Sequence, residues 1–165
     1  FPILAFFRSP QPQRSWVTAS GTVLDAASLY VSCLREIPMG PAGVCIRSGF
    51  LTLRRLADFF GIEFDPDPST DDPISIQRSE FDEAWEQFEA AGLNLKDDRE
   101  QAWRDFAGWR VNYDTVLLAL AEVTVAPYAP WSSDRSSPSH VPPRIRRFGR
   151  WIGDRSSDRT RVDAS

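Results

Sequence analysis

The sequence predicts an all-α fold, a four-helix bundle of two helical hairpins followed by a disordered C-terminal tail. Three observations carry this. Apolar residues recur every three or four positions through four segments, the spacing that lines one face of a helix. Clusters such as Ile37-Pro38-Met39-Gly40-Pro41 separate the segments. Period-two alternation, the mark of a half-buried strand, is nearly absent.

The first segment spans residues 14–36, with Ser15 as N-cap. Trp16, Ala19 or Ser20, Val23, Ala27, Tyr30 or Val31, and Leu34 mark its apolar face. Gly21 and several Ser and Thr lower its intrinsic helicity, so packing must hold it. The second segment spans residues 42–60. Its face is Val44, Cys45, Gly49 or Phe50, Leu53, Leu56, Ala57 and Phe60, and Gly61 supplies the C-cap. Gly43 and Gly49 would let another helix approach closely. The third segment spans residues 79–91, with Ser79 and Asp82 as a capping pair and Phe81, Ala84, Trp85, Phe88 and Ala91 facing inward. Gly92 ends it. Leu93 to Lys96 make a loop short enough for an antiparallel hairpin.

The fourth segment, residues 97–126, reads as one long helix around which the rest is organised. Trp103, Phe106, Trp109 or Arg110, Tyr113, Val116 or Leu117, Leu120 and Val123 share its inner face. Asp97 with Glu100 resembles a capping box. Glu100 with Arg104 and Arg110 with Asp114 are i,i+4 pairs expected on the outer face. Pro127 stops the helix. The expected core is Trp16, Leu24, Leu53, Phe60, Trp85, Phe88, Trp103, Phe106, Trp109, Tyr113 and Leu117.

The chain of 165 residues suits one domain with flanking segments: a linker over residues 1–13, a helical domain over 14–126 and a basic tail over 127–165. The net charge of −4 hides an asymmetry. The tail holds eight Arg against four Asp; the remainder holds eleven Lys or Arg against nineteen Asp or Glu. A basic tail on an acidic body points to a negative partner for the tail. The tail cluster Arg144, Arg146, Arg147, Phe148, Arg150 and Trp151, with Ile152, has the composition of a membrane-surface or anionic-partner contact. The plainer reading is a solvated basic linker. Nucleic acid is not the expected partner, because the acidic body would repel phosphates.

No catalytic constellation stands out. There is no phosphate-binding glycine loop, no Cys/His ligand set and no Ser-His-Asp arrangement, and the single histidine, His140, falls where nothing would position it. The expectation is a protein that is not an enzyme, with no catalytic, cofactor-binding or metal-ligating residues and no cofactor. Cys33 and Cys45 are read as free thiols, although a bridge between them stays open. Asp65, Asp67, Ser69 and Asp71 have the alternating spacing of a calcium loop. Thr70 then stands where glycine is needed and Ile76 where a bidentate glutamate is needed, so the loop reads as a solvated turn. Asp25 and Asp58 lie near apolar faces; the plain reading pairs each with an arginine such as Arg54 or Arg55. Trp103, Trp109 and Tyr113 could line a groove, but an aromatic stripe at helical spacing is more often core.

Several stretches resemble a known family. Phe1 to Ser9 (FPILAFFRS), then Ser15-Trp16 and Leu24-Asp25-Ala26, are similar to the segment after the pore module in bacterial two-helix potassium-channel-like membrane proteins. The stretches RSGFLTLRRLADFFGI and DPDPSTDDPISIQRSEFD, and the run from Asp98 to Arg135, resemble the soluble region of such proteins. The likeness covers about residues 1–135. It implies a domain on the cytoplasmic side of the cell membrane, attached to an upstream transmembrane pore segment and homo-oligomeric in the full-length protein, with an assembly or regulatory role. A first residue that is Phe rather than Met, and the apolar stretch over residues 1–7, accord with that expectation. The Thr-Val-Gly-Tyr-Gly filter of such pores is not in this sequence, so the resemblance carries over no ion-conducting residue. The reading from another class is a free-standing helical module that binds a protein or a lipid surface.

Overall fold

A computed structural model describes residues 14–35 and 38–136. Among these residues the protein is all-helical: α1 (Trp16–Cys33), α2 (Met39–Phe60), α3 (Arg78–Ala90), α4 (Arg99–Arg110) and α5 (Asp114–Val123). An isolated antiparallel bridge between Leu34 and Leu95 ties the end of α1 to the α3–α4 loop.

Five helices replace the four expected, because the segment over residues 97–126 is broken. Asn112 and Tyr113 tighten into i→i+3 bonds, Asn112 N–H donating to Trp109 O and Tyr113 N–H to Arg110 O. Tyr113 then leaves helical geometry at φ −135°, ψ −6°. Asn112 supplies the reason. Its amide donates back to Gly108 O at 3.0 Å, competing with the helical ladder. Its carbonyl accepts from Arg54 Nε at 3.0 Å, so a partner outside the helix takes it up.

Helix ends follow the local chemistry. Ser15 caps α1 by accepting from Val17 N–H, and Gly61 ends α2 in the left-handed region at φ 67°. Two expected caps move by one or two residues. At α3, Gln77 is the N-cap and Glu80 accepts from its N–H, while Asp82 instead receives Arg78 and Arg99. At α4, Asp98 accepts from Gln101 N–H, in place of the Asp97–Glu100 pair.

α1 packs against α2 and α4, and α5 packs on both α1 and α2. Two apolar clusters result, with α1 between them. In one, Leu24 and Val31 meet Leu53 and Phe60 of α2 and Leu117 and Leu120 of α5. In the other, Leu29 and Cys33 meet Phe81 and Trp85 of α3 and Phe106 of α4. Close approach is built in at Gly49, where an added Cβ would lie 2.4 Å from Leu24 Cδ2, and at Gly21, where it would meet Leu117. Gly43, expected to do the same, has open space around it. α3 and α4 run antiparallel, Phe81 meeting Trp103 and Phe106 while Trp85, a turn later, meets Arg99.

Of the expected core, Leu24, Leu53, Phe60, Trp85, Phe106, Tyr113 and Leu117 are buried. Trp16, Phe88, Trp103 and Trp109 only pack partly against it. Val23, assigned to the inner face of α1, is exposed, as is Val44 of α2; of the pair Tyr30 or Val31, Val31 is the buried one.

The boundary expected at residue 127 lies further on. Residues 127–136 fold back onto the body. Trp131 stacks 5.7 Å from Phe106, and Arg135 forms an ion pair with Glu80 and donates to Ser75 O. One aromatic ring and one arginine fork hold this segment, a signal that helical periodicity does not carry. Among the described residues no helix is long and apolar enough to cross a membrane.

A candidate functional site: a buried fork beneath an apolar cleft

Where the two apolar clusters meet, the interior is polar. Arg110 ends α4 with no solvent exposure at all. Each of its three nitrogens donates: Nε to Asp114 Oδ1 at 2.6 Å, Nη1 to Asp25 Oδ1, and Nη2 to the Trp131 carbonyl at 2.7 Å. The break at Val111–Tyr113 makes this convergence feasible, since it brings Arg110, Tyr113 and Asp114 to the interior together. The Arg110–Asp114 pair, expected on the outer face, is therefore among the most deeply buried features of the described residues.

The second acid completes its shell from a loop. Asp114 accepts from Ser75 N–H at 2.8 Å and from Ser75 Oγ at 2.7 Å. Tyr113 donates to Asp25 Oδ1 at 2.9 Å. A phenol has one proton, so the 3.1 Å contact with Ser28 has the serine as donor. The guanidinium also lies 5.1 Å from the Tyr113 ring centroid.

Two carboxylates share one guanidinium, which leaves a formal negative excess in the interior. Burial pushes the Asp25 carboxyl above its ordinary value, against the pull of Arg110 and the Tyr113 hydroxyl. Burial pulls the other way on Arg110, but the charges of Asp25 and Asp114 outweigh it and hold the guanidinium above its usual range. Tyr113 is raised by burial and by Asp25. Arg110 thus stays a fixed cation, and Asp25 and Tyr113 beside it both hold their protons more tightly than usual.

Asp25 is 7% exposed and lines a cleft of about 590 Å³. Both of its hydrogen bonds go to Oδ1. Among the described residues, Ser32 Oγ is the only side-chain polar atom fully buried without a partner. Asp25 Oδ2 accepts nothing yet is not sealed in, so it faces the cleft. Leu29, Tyr30, Phe88, Leu93 and Trp131 wall it. Asp25 was singled out in the sequence, but its partner is Arg110 rather than Arg54 or Arg55. Asp58 is exposed.

A wider, more polar cleft of about 1090 Å³ lies between the acidic loop and α4. Trp103 and Trp109 line it; Tyr113, grouped with them in the sequence, is buried. The acidic loop itself closes on its own backbone, Asp65 accepting from Asp67 N–H and Asp72 from Ser69 N–H. Ile76 is buried in the second cluster. Among the described residues no group of three or more His, Cys, Asp or Glu is placed to hold a metal. Cys33 and Cys45 are free; burial pushes the Cys33 thiol up to about 12.

The tail residues Arg144, Arg146, Arg147, Phe148, Arg150 and Trp151 lie outside the described residues, as does the stretch over residues 1–13. Comparison of the chain with protein-family models, curated proteins and solved structures gave no match.

Proposed function

We propose that this chain forms the cytoplasmic C-terminal helical domain of a bacterial potassium-channel-like membrane protein, with an assembly or regulatory role. One observation carries the reading. Three of the stretches that resemble such proteins are separate in sequence yet give groups to the same buried fork: Asp25 from Leu24-Asp25-Ala26, Ser75 from DPDPSTDDPISIQRSEFD, and Arg110, Tyr113, Asp114 and Trp131 from the long C-terminal run. That these stretches meet in one fork supports reading them together as one folded unit.

In this reading residues 1–13 join the body to an upstream pore segment, and several copies of the body sit beneath one pore. The exposed apolar residues Val44 and Leu51 of α2 offer a surface for contact between copies. The cluster from Arg144 to Trp151 lies against anionic lipid, where each arginine contributes about 1 kcal/mol near the surface.

The test begins with the coding sequence upstream of the Phe1 codon. Two apolar spans around a Thr-Val-Gly-Tyr-Gly-type filter are expected. An initiation codon directly before residue 1 would leave a free-standing helical interaction or lipid-binding module. Potassium uptake by the full reading frame, with and without residues 14–136, then separates a regulatory role from an idle one. For the lipid contact, the chain should co-sediment with anionic vesicles and not neutral ones, with binding lost at high salt.

A further inference from the structure

The cleft above Asp25 has the construction of a ligand site. Its floor is a carboxylate nine-tenths buried, with one oxygen committed to Arg110 and Tyr113 and the other without a partner. Its walls are Leu29, Tyr30, Phe88, Leu93 and Trp131. At about 590 Å³ it lies within the range of small-molecule pockets.

The charge balance selects the ligand. With Asp25 ionised, Asp25 and Asp114 outnumber Arg110 and the interior is one positive charge short. An anion finds no cationic partner here: no Lys or Arg is among the residues lining the cleft, and Arg110 has no solvent exposure. A neutral apolar molecule would fill the walls but leave Asp25 Oδ2 cut off from water, which costs free energy for a buried acceptor. A cation that carries an N–H group satisfies the oxygen, restores charge balance and can lie against aromatic faces at Tyr30, Phe88 and Trp131.

We propose that this cleft binds an organic ammonium ion with an apolar body, its N–H group donating to Asp25 Oδ2 and its body lying between Leu29, Phe88 and Trp131. The site is a property of the folded body and goes beyond the membrane-tethered reading. It would stand if that reading fell.

The test uses four probes with one indole body: tryptamine, its N,N,N-trimethyl quaternary analogue, the neutral alcohol tryptophol, and indole-3-acetate. Titration calorimetry on the full chain should give saturable binding of tryptamine. The quaternary analogue, which keeps the charge but cannot donate, should bind at least tenfold more weakly, as should tryptophol, and indole-3-acetate should not bind. Asp25→Asn should weaken tryptamine at least tenfold and change tryptophol by less than twofold. Ala26→Trp, at an exposed α1 position on the cleft rim, should block tryptamine with the fork intact, so the proposal stays falsifiable if the Asn variant folds poorly. Equal binding of tryptamine and tryptophol, no tryptamine binding at millimolar concentration, or binding indifferent to Ala26→Trp would each overturn it.

Discussion

Asp25 and Tyr113 are 88 residues apart in the chain, and the phenol donates to the carboxylate at 2.9 Å. Both lie in the interior, one on α1 and the other in the turn between α4 and α5. Tyr113→Phe keeps the ring against the first cluster but removes the hydroxyl, leaving Ser28 with no acceptor and Asp25 with one donor fewer. The expected loss is about 1 to 3 kcal/mol. Urea denaturation measures it, and a variant with an unchanged midpoint would mean that the hydroxyl carries no stability.

Arg110 should be the most sensitive charged position of the fork. Arg110→Met leaves two carboxylates buried without their cation, at an expected cost of about 3 to 5 kcal/mol. Arg110→Lys should also destabilise, because an ammonium on a flexible stem cannot reproduce a planar fork that reaches Asp25, Asp114 and the Trp131 carbonyl together. Thermal melts of the two variants, compared with an exposed control such as Arg55→Lys, give the result; a Lys variant as stable as the control would contradict the geometry.

The pH dependence has a definite sign. The folded state holds the Asp25 proton more tightly than the unfolded chain, whose carboxyl titrates near 3.8. As pH rises from about 4 through the folded value, the protein loses this contribution. Glu80 acts oppositely: the hydrogen bond from Arg135 lowers it, so its contribution is lost as pH falls. Asp25→Asn removes only the first of these. The stability of the Asn variant relative to the parent should therefore improve as pH rises from 4 upward, in urea midpoints taken at several pH values. A difference that stays flat across that range would show that the folded state does not hold the Asp25 proton more tightly than the unfolded chain.

Two glycines of α2 should respond in opposite directions to alanine. At Gly43 nothing opposes a methyl group, and the gain in helix propensity should stabilise by about 0.5 to 1 kcal/mol. At Gly49 the methyl group would be driven into Leu24, which is buried and cannot retreat freely, so overpacking should outweigh propensity and cost about 1 to 3 kcal/mol. Chemical denaturation of the pair checks both signs at once.

Much of the fold was legible because local chemistry and tertiary packing agree. Ser15, Gly61 and Gly92 end helices for reasons confined to a few residues, and Phe81, Trp85 and Phe106 follow a clean helical stripe. The break at residues 111–113 was not legible, because the apolar spacing from Phe106 through Tyr113 to Leu117 runs across it. The fork was hidden for a related reason. Oppositely charged residues at i,i+4 usually mark a wet surface, and Arg110–Asp114 has that form. The overlooked signal was that Arg110 falls on the stripe with Phe106, Tyr113 and Leu117, where an unpaired surface charge has no place. The partners from Ser75 and Trp131 come from loops, whose positions no periodicity encodes.

The wide separation of the fork's partners also sets an order on synthesis. Asp25 leaves the ribosome early, 85 residues ahead of Arg110, and the carbonyl that takes up the last nitrogen of Arg110 comes 21 residues later still. Before Arg110 emerges, the nascent α1 and α2 can pair through apolar residues such as Leu24 and Leu53, with an acid held in water on the side that must later be sealed. A chain arrested before Arg110 would therefore present both the apolar face of α1 and an unpaired carboxylate to the cell's chaperones.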